Sequence, residues 1–318
     1  MLKQALITIL KTKAPMNLVI EGLSKTYPNG TQALKGVSLE IPTGMFGLLG
    51  PNGAGKSSLM RTIATLQDAD AGSIHLGDID VLNEKPKVRQ VLGYLPQEFG
   101  VYPRMTAYQM LDHFAQLKGI KNAKERKATV RALLEQTNLY RERNIKLGNY
   151  SGGMKQRFGI AQALLGQPKL IIVDEPTAGL DPAERNRFHN LLSEIGEHMV
   201  VILSTHIVED VTNLCRHMAI IHKGEVLLKG NPREVVEAAQ GKVWKKMIAK
   251  VELPQHQQQY NIVSSHLFDG KVIVKAFGDE CPDESFEASI PDLEDVYFSQ
   301  IKAKEEATNA QIPNQIQE

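Results

Sequence analysis

The feature of this chain that most constrains its fold is a glycine-rich segment with the spacing G-x-x-x-x-G-K-S. It comprises Gly50, Pro51, Asn52, Gly53, Ala54, Gly55, Lys56 and Ser57. The apolar run before it predicts a buried strand over residues 45–49, and the residues after it predict a helix. A loop between such elements surrounds phosphate oxygens with backbone N–H groups, and the helix dipole adds to the attraction. The segment, the Walker A motif, therefore predicts a nucleotide site.

Two side chains of this phosphate loop carry the predicted chemistry. Lys56 is expected to reach the β- and γ-phosphates of the nucleotide, and the Ser57 hydroxyl to ligate Mg²⁺. We also count Ser58, which follows the loop directly, among the nucleotide-binding residues. The alternative is a glycine-rich turn that carries Gly-Lys-Ser by chance, and the flanking strand and helix argue against it.

The composition excludes several classes of protein. The 318 residues, 42% hydrophobic and 23% charged, are typical of a globular protein with one or two domains. A net charge of +1 offers no basic surface for nucleic acid, so we expect no such partner. Cys215 and Cys281 are too few and too far apart in sequence for a zinc or disulfide framework, and we expect two reduced thiols.

The hydropathy of the chain argues against a membrane-spanning segment. No apolar run approaches the roughly 18 to 20 residues that a spanning helix needs. Residues 1–15 resemble a signal peptide only superficially, because their apolar segment is short and interrupted by Thr8. We expect them to be a dispensable N-terminal extension, and any link to a membrane to come through a partner.

Strands and helices alternate around the phosphate loop. Besides 45–49, the pattern predicts strands at 17–20, 37–41, 73–76, 92–95, 170–174 and 200–204. We expect 73–76 and 92–95 to form a pair, and the last two runs are continuously apolar, as in strands buried on both faces. The alternation predicts an α/β fold with a mostly parallel sheet and helices on both faces.

Two further regions differ in character. Residues 103–146 show helical periodicity, with a capping box predicted at Thr106 and Gln109 and a second helix at 123–135. A small α+β module is predicted over 240–300. Its features are strand-like runs within 242–277, a hairpin turn at Asp269-Gly270 and a short helix at 291–298. Polar, Gln-rich residues follow from Glu305, and we predict a disordered tail over 301–318.

Acidic residues close the buried strand at 170–174. Asp174 stands where an aspartate at the carboxyl end of such a strand holds Mg²⁺. Glu175 follows it and is the candidate general base for the attacking water. The alternative is a pair of surface carboxylates, and the phosphate loop on the same chain argues against it.

A second predicted anion site lies between these motifs. Ser151, Gly152 and Gly153, within Y-S-G-G-M-K-Q-R, offer a hydroxyl and free N–H groups at a helix start. The order Walker A, Ser-Gly-Gly and Asp-Glu-Pro resembles that of an ABC-type ATPase, over roughly residues 17–235. The resemblance implies a P-loop NTPase fold, with an ABC ATPase domain over 16–235 and a helical signature subdomain at about 103–160.

The resemblance also implies roles for single residues. Ser151, Gly152 and Gly153 would contact ATP held by the phosphate loop of a second subunit, so that a homodimer encloses two ATP molecules. Gln97 matches the glutamine that senses Mg²⁺ and the γ-phosphate, and His206 matches the switch histidine. The remaining matches are Asp181 in the D-loop and Tyr27, which would stack on adenine. The implied catalytic residues are Glu175, His206 and Gln97, and the implied metal ligands are Ser57, Gln97 and Asp174.

The function implied is that of the ATP-hydrolysing subunit of an ABC transporter. Its partner would be a transmembrane permease on a separate chain, which places the subunit at the cytoplasmic face of the membrane. The candidate docking segment is 99–103, and the alternative is that these residues belong to the core. Tyr150 and Met154 depart from the commonest signature, and the segment is more similar to that of ABC-2-type exporters. The alternative is a soluble ABC ATPase acting on ribosomes or DNA, and a small-molecule kinase would have no need of the signature.

The C-terminal module carries one family resemblance of its own. Residues 293–297, Leu-Glu-Asp-Val-Tyr, resemble a segment near the end of exporter-type ATPase subunits. We expect this module to contribute a dimer contact, while regulation or capping of the fold stay open as alternatives.

Overall fold

The computed structural model describes residues 16–310, so the expected N-terminal extension and residues 311–318 lie outside the described part. The strands are β1 (Leu18–Thr26), β2 (Gln32–Ile41), β3 (Gly44–Leu49), β4 (Ala71–Leu76), β5 (Ile79–Asp80), β6 (Leu92–Leu95), β7 (Leu170–Asp174), β8 (Val200–Thr205), β9 (His217–His222), β10 (Glu225–Gly230), β11 (Val243–Ile248), β12 (Ile262–Phe268), β13 (Lys271–Phe277) and β14 (Glu287–Ala288). The helices are α1 (Lys56–Ile63), α2 (Lys85–Val91), α3 (Ala107–Leu117), α4 (Ala123–Gln136), α5 (Gly152–Ala163), α6 (Pro182–Gly196), α7 (Val208–Leu214), α8 (Pro232–Glu237), α9 (Leu253–Gln259) and α10 (Leu293–Ala310).

The central sheet has the order β10-β9-β3-β8-β7-β6 and is parallel except for β10. Successive side chains of its strands enter different cores, as the pleat requires. Leu170 and Ile172 of β7 pack towards α1 and the N-terminal strands, whereas Ile171 and Val173 pack among α3 to α7. This burial on both faces explains the continuous apolar runs and confirms the prediction of a mostly parallel sheet.

A separate antiparallel sheet, β2-β1-β4-β5, covers one face of the central sheet. The prediction that 73–76 pairs with 92–95 is wrong. β4 pairs with β1, for example Leu18 with Leu76, while β6 pairs in parallel with β7. Periodicity identifies a strand but not its partner, which here depends on where the chain returns after α1.

The helical region begins as the sequence predicts. Thr106 Oγ1 accepts a hydrogen bond from Gln109 N at 3.2 Å, and Gln109 Oε1 accepts one from Thr106 N at 3.0 Å. This reciprocal pair is a capping box, and it confirms the predicted start of α3. The helix predicted over 123–135 is α4, which Asn122 caps through its side chain.

The C-terminal module has an antiparallel sheet of order β12-β13-β11-β14. Asp269 and Gly270 join β12 to β13, with φ angles of 48° and 77°. Positive φ at both central residues matches the right-handed twist of the strands, so the predicted hairpin is confirmed. One face of this sheet packs against α9.

The last helix, α10, is longer than predicted and replaces part of the expected disordered tail. Residues 301–310 continue the helix that begins at Leu293, so the prediction of disorder is wrong there. Ile301 packs against the core of the helical region, and Lys302 Nζ donates to the carbonyl of Ile262 at 3.0 Å. These contacts order a segment whose polar composition suggests disorder. Over residues 16–310, no helix combines the length and apolar character needed to cross a bilayer.

Candidate active site

The candidate site lies at the carboxyl ends of three neighbouring strands. In the central sheet, Leu49 of β3 is level with Thr205 of β8, and Asp174 of β7 is level with Ser204. The residues that follow these strands are therefore brought together at one edge. Crevices at this edge of a parallel sheet are the usual ligand sites of α/β folds.

The phosphate loop has a conformation that requires its glycines. A Cβ at Gly50 would lie 2.3 Å from the carbonyl oxygen of Ile221. Gly55 has a φ of 108°, and a Cβ there would lie 2.6 Å from the carbonyl oxygen of Ala33. α1 begins at Lys56 without a side-chain cap, so its first N–H groups are available to an anion. The loop thus fits the phosphates of a nucleotide.

Lys56 points its ammonium group back into the loop. Its Nζ donates to the carbonyls of Gly50 at 2.5 Å and Pro51 at 3.2 Å, and lies 3.6 Å from Glu175 Oε1. Burial lowers the pKa of Lys56, and the nearby Glu175 carboxylate opposes this change. The loop therefore presents a buried positive charge next to a buried carboxylate.

Glu175 is held in an unusual backbone conformation. Its φ of 48° lies in the left-handed region, which is costly for a residue with a Cβ and is concentrated at functional sites. One carboxylate oxygen, Oε2, is hydrogen-bonded to His206 Nδ1 at 2.6 Å. The other, Oε1, is buried and has no hydrogen-bond partner among the described residues. Glu175 thus has one oxygen oriented by His206 and one that faces the Lys56 ammonium without a hydrogen bond.

The cleft beside the loop has a volume of about 490 Å³. Its predicted lining residues are Tyr27, Pro51, Asn52, Gly53, Ala54, Gly55, Lys56, Ser57, Ser58, Gln97, Asp174 and Glu175. The buried Oδ1 of Asp174 also lacks a hydrogen-bond partner among the described residues. A carboxylate, a serine hydroxyl and a glutamine amide in one cleft are the oxygen ligands that Mg²⁺ prefers, so the residues fit this ion.

Tyr27 is fixed at the wall of the cleft. Its hydroxyl lies 3.0 Å from Ser58 Oγ and donates to Gln67 Oε1 at 3.1 Å. These two contacts anchor the outer end of the ring to α1 and the residues after it. A ring held in this way is suited to stacking on a planar base.

Several residues of the cleft are absent from the sequence prediction. They are Thr31, Gln32, Ala33, Lys35, Lys223 and Gly224. The first four belong to the start of β2 and its preceding turn, and the last two form the turn between β9 and β10. A Lys-Gly dipeptide between two apolar runs signals a turn, but only the folded sheet shows that this turn lies against the phosphate loop.

Comparisons with known proteins identify the family. The model of the family described as "ABC transporter" matches residues 34–178. The linearmycin resistance ATP-binding protein LnrL of Bacillus subtilis is 38% identical over 222 residues, which are 69% of this chain and 70% of that protein. The ABC transporter ATP-binding protein NatA of the same organism is 37% identical over 210 residues, 65% of this chain and 85% of that protein. The chain belongs to the ATP-binding proteins of ABC transporters.

Solved structures agree with this assignment. The cassette MJ0796, in a dimeric post-hydrolysis state bound to ADP and Pi, is 28% identical with a TM-score of 0.61, covering 67% of this chain and 98% of that one. The cbiO1 subunit from Clostridium perfringens is 30% identical with a TM-score of 0.64, covering 70% of this chain and 92% of that one. The protein thus has the ABC cassette fold and is an ATPase that binds ATP.

The signature segment of this ABC ATPase lies outside the cleft. Ser151 caps α5 by accepting a hydrogen bond from Met154 N at 3.2 Å, and Ser151 and Gly152 are exposed. The unusual Tyr150 is buried, and its hydroxyl donates to the carbonyl of Glu142 at 2.9 Å. Burial raises the pKa of Tyr150 to about 12, so it stays a neutral donor. Tyr150 therefore fixes the residue position directly before the signature helix through its burial and its hydrogen bond.

Asp181 and His206, predicted as the D-loop and switch residues, do not line the cleft. Asp181 caps α6 by accepting a hydrogen bond from Glu184 N at 2.9 Å. His206 reaches the site only through Glu175, and half of its side chain is exposed. Among the predicted residues, Gly50 too is part of the loop without facing the cleft.

Asp210, a buried residue of α7 that the sequence analysis did not single out, connects the segments that follow Glu175 and His206. Asp210 accepts hydrogen bonds from Thr177 Oγ1 at 2.5 Å and Arg185 Nη2 at 2.7 Å, and its Oδ1 lies 2.9 Å from His189 Nε2. Burial alone would raise the pKa of Asp210, but the hydrogen bonds from His189, Thr177 and Arg185 outweigh it and lower the pKa. Asp210 thus joins the loop after Glu175 to the helix after His206.

Proposed function

We propose that this ABC ATPase works as a homodimer around two ATP molecules. Each ATP is bound by the phosphate loop of one copy and by Ser151, Gly152 and Gly153 of the other. The observation that carries the proposal is that Ser151 and Gly152 are exposed at this helix start, and that none of the three residues lines the cleft of its own chain. A helix N-terminus attracts anions. Because this one does not face the cleft of its own chain, the phosphate that it binds belongs to ATP on a second copy. The similar cassette MJ0796 is described as dimeric and bound to ADP and Pi, which supports this arrangement.

Within each site, the residues of this chain divide the work of hydrolysis. The phosphate loop and Lys56 bind the phosphates, and Tyr27 stacks on adenine. Glu175 accepts a proton from the attacking water. The oxygen of that water attacks the γ-phosphorus, and the bond between the γ-phosphorus and the β-phosphate oxygen breaks. His206 orients Glu175 through the 2.6 Å hydrogen bond, and Asp181 acts at the dimer contact. Ser57, Gln97 and Asp174 would hold Mg²⁺, which would neutralise charge on the phosphates.

The dimer drives a separate transmembrane permease in the direction of export. Membership of a transporter family supports the permease, and the aromatic ring of Tyr102, 61% exposed and a few residues after Gln97 in sequence, offers it a contact. Export is supported by the linearmycin resistance relative and by a probable multidrug ABC transporter ATP-binding protein of Escherichia coli. The latter is 35% identical over 228 residues, 71% of this chain and 39% of that protein. The chain would then lie at the cytoplasmic face of the membrane.

Glu175→Gln tests both the base and the dimer. The amide keeps the shape of the side chain but cannot accept the proton, so turnover should fall by a factor of about 10² to 10⁴. ATP should then convert the variant to a lasting dimer, measured by light scattering with and without ATP. Glu194→Gln, the same change on an exposed position of α6, is the control and should leave both properties unchanged. A monomeric Glu175→Gln protein that hydrolyses ATP at the normal rate would contradict the proposal.

Purification of the native complex tests the partner. We expect a tagged chain, extracted from its own membranes in mild detergent, to retain a multi-spanning membrane protein identifiable by mass spectrometry. Tyr102→Asp should weaken that association without changing ATP binding. Recovery with ribosomes or DNA in place of a membrane protein would favour the soluble alternative.

A further inference from the structure

The wall of the nucleotide cleft includes two lysines outside the known motifs. Lys35 of β2 and Lys223 of the β9–β10 turn both line it. The turn is fastened to the phosphate loop, because Gly224 N donates to the carbonyl of Ala54 and Lys35 N donates to the carbonyl of Gly224, each at 2.9 Å. The turn and the start of β2 are therefore a fixed wall of the site.

A residue of the C-terminal helix reaches this wall. Lys304 Nζ of α10 lies 2.6 Å from Glu225 Oε2, and Lys35 Nζ lies 3.6 Å from Glu225 Oε1. Glu225 is the residue directly after Gly224, so its two oxygens connect α10 to the cleft. The hydrogen bond from Lys304, aided by Lys35, holds the pKa of Glu225 below its usual range, and the carboxylate stays charged.

The N-terminal end of α10 is held by buried side chains. Leu293 and Tyr297 are buried in the core of the helical region, with exposures of 3% and 6%. Further along the helix, Lys302 Nζ donates a hydrogen bond to the carbonyl of Ile262 in the C-terminal sheet. α10 thus contacts the ATPase domain and the C-terminal module at once, and any displacement of the module would move Lys304 away from Glu225.

From these contacts we infer that Lys35 is a further nucleotide-binding residue, and that Lys304 controls how strongly Lys35 attracts the nucleotide. With Lys304 in place, the charge of Glu225 is largely neutralised and Lys35 can attract the anionic nucleotide. Without Lys304, Glu225 is left to pair with Lys35 alone and adds negative potential to the cleft. By linkage, bound nucleotide in turn favours the docked position of α10. The inference rests on the phosphate loop being the nucleotide site.

The test is calorimetric titration of the full chain with ADP and Mg²⁺, since ADP is not hydrolysed. Lys35→Gln and Lys304→Gln should each weaken binding about threefold at low salt, the size expected for partly exposed charges, and less at high salt. Glu225→Gln added to Lys304→Gln should restore the affinity, because it removes the uncompensated carboxylate. Lys229→Gln, which removes an exposed lysine of β10, is the matched control for loss of one positive charge and should bind normally.

Two results would overturn the inference. One is normal ADP affinity in Lys35→Gln or Lys304→Gln. The other is a loss in Lys304→Gln that Glu225→Gln fails to rescue or that the control Lys229→Gln reproduces. Thermal unfolding of each variant checks that it is folded. Lys56→Ala distinguishes failure of this inference from failure of the proposed function. If Lys56→Ala leaves ADP binding unchanged, the phosphate loop is not the nucleotide site, and the proposed function is contradicted whatever the Lys35 and Lys304 variants show.

Discussion

Gly153 lies directly against the carboxylate of Glu184. A Cβ at position 153 would come within 2.4 Å of Glu184 Oε2, and the same oxygen is paired with Arg157. Gly153 and Arg157 belong to the signature helix α5, while Glu184 is in the first turn of α6, directly after the D-loop. The close approach therefore joins the two segments that are expected to meet the second subunit.

Gly153→Ala should disrupt this junction. The added methyl group must displace the carboxylate of Glu184, which is paired with Arg157, at a steric cost of about 1–3 kcal/mol. Better helix propensity would offset up to about 1 kcal/mol of that cost. Gly152→Ala is the matched control, because a methyl group there would meet nothing within 4 Å. Urea unfolding should show Gly153→Ala to be the less stable variant, and equal stabilities would contradict the prediction.

Asp210→Asn should destabilise the protein in a way that depends on pH. The pKa of Asp210 is lowered in the folded state, so its contribution is complete above the usual carboxyl pKa of about 4 and is lost as pH falls through the folded value. At neutral pH, we expect the substitution to lower the free energy of unfolding by on the order of 3 kcal/mol.

The measurement for Asp210 is denaturant unfolding of both proteins at several pH values. The difference between them should be largest at neutral pH and should shrink below about pH 4. Comparing the two proteins at each pH cancels the other carboxyl groups that titrate in acid. A difference that stays constant down to pH 2 would show that the charge of Asp210 has no part in the effect.

Substitutions at Tyr27 separate stacking from anchoring. Tyr27→Ala removes the ring and should weaken ATP binding roughly 5- to 100-fold, the range for loss of one base–aromatic contact. Tyr27→Phe keeps the ring and loses only the hydroxyl contacts with Ser58 and Gln67, so its affinity should fall about fivefold or less. Fluorescence titration with a labelled ATP analogue measures both. Normal binding by Tyr27→Ala would place the base elsewhere.

Gly55→Ala should damage the phosphate loop specifically. The residue has a φ of 108°, and its new Cβ would lie 2.6 Å from a backbone oxygen that cannot easily move, that of Ala33. We expect nucleotide binding to be lost or reduced more than tenfold by this strain. Gly100→Ala, where a Cβ would meet nothing within 4 Å, should bind ATP normally. If both variants bind alike, the loop tolerates the methyl group and its fit to phosphate is looser than the geometry indicates.

The local chemistry of the chain can be predicted from sequence where neighbouring residues decide it. The capping box of Thr106 and Gln109, the hairpin turn of Asp269 and Gly270 and the buried strand before Asp174 all depend on interactions within a few residues. The glycine spacing of the phosphate loop is likewise local in sequence, although the carbonyl oxygens that exclude a Cβ at Gly50 and Gly55 belong to Ile221 and Ala33.

The sequence alone determined that this protein has an ABC-type ATPase domain and which motifs would form its site. Only the tertiary structure decided that β4 pairs with β1, that α10 continues to Ala310, that Asp210 joins two loops, and that Glu225 lies between Lys35 and Lys304. The reason is physical. Motifs are read from residues close in sequence, whereas these contacts join residues as far apart as Lys35 and Glu225, whose meeting depends on how whole elements pack.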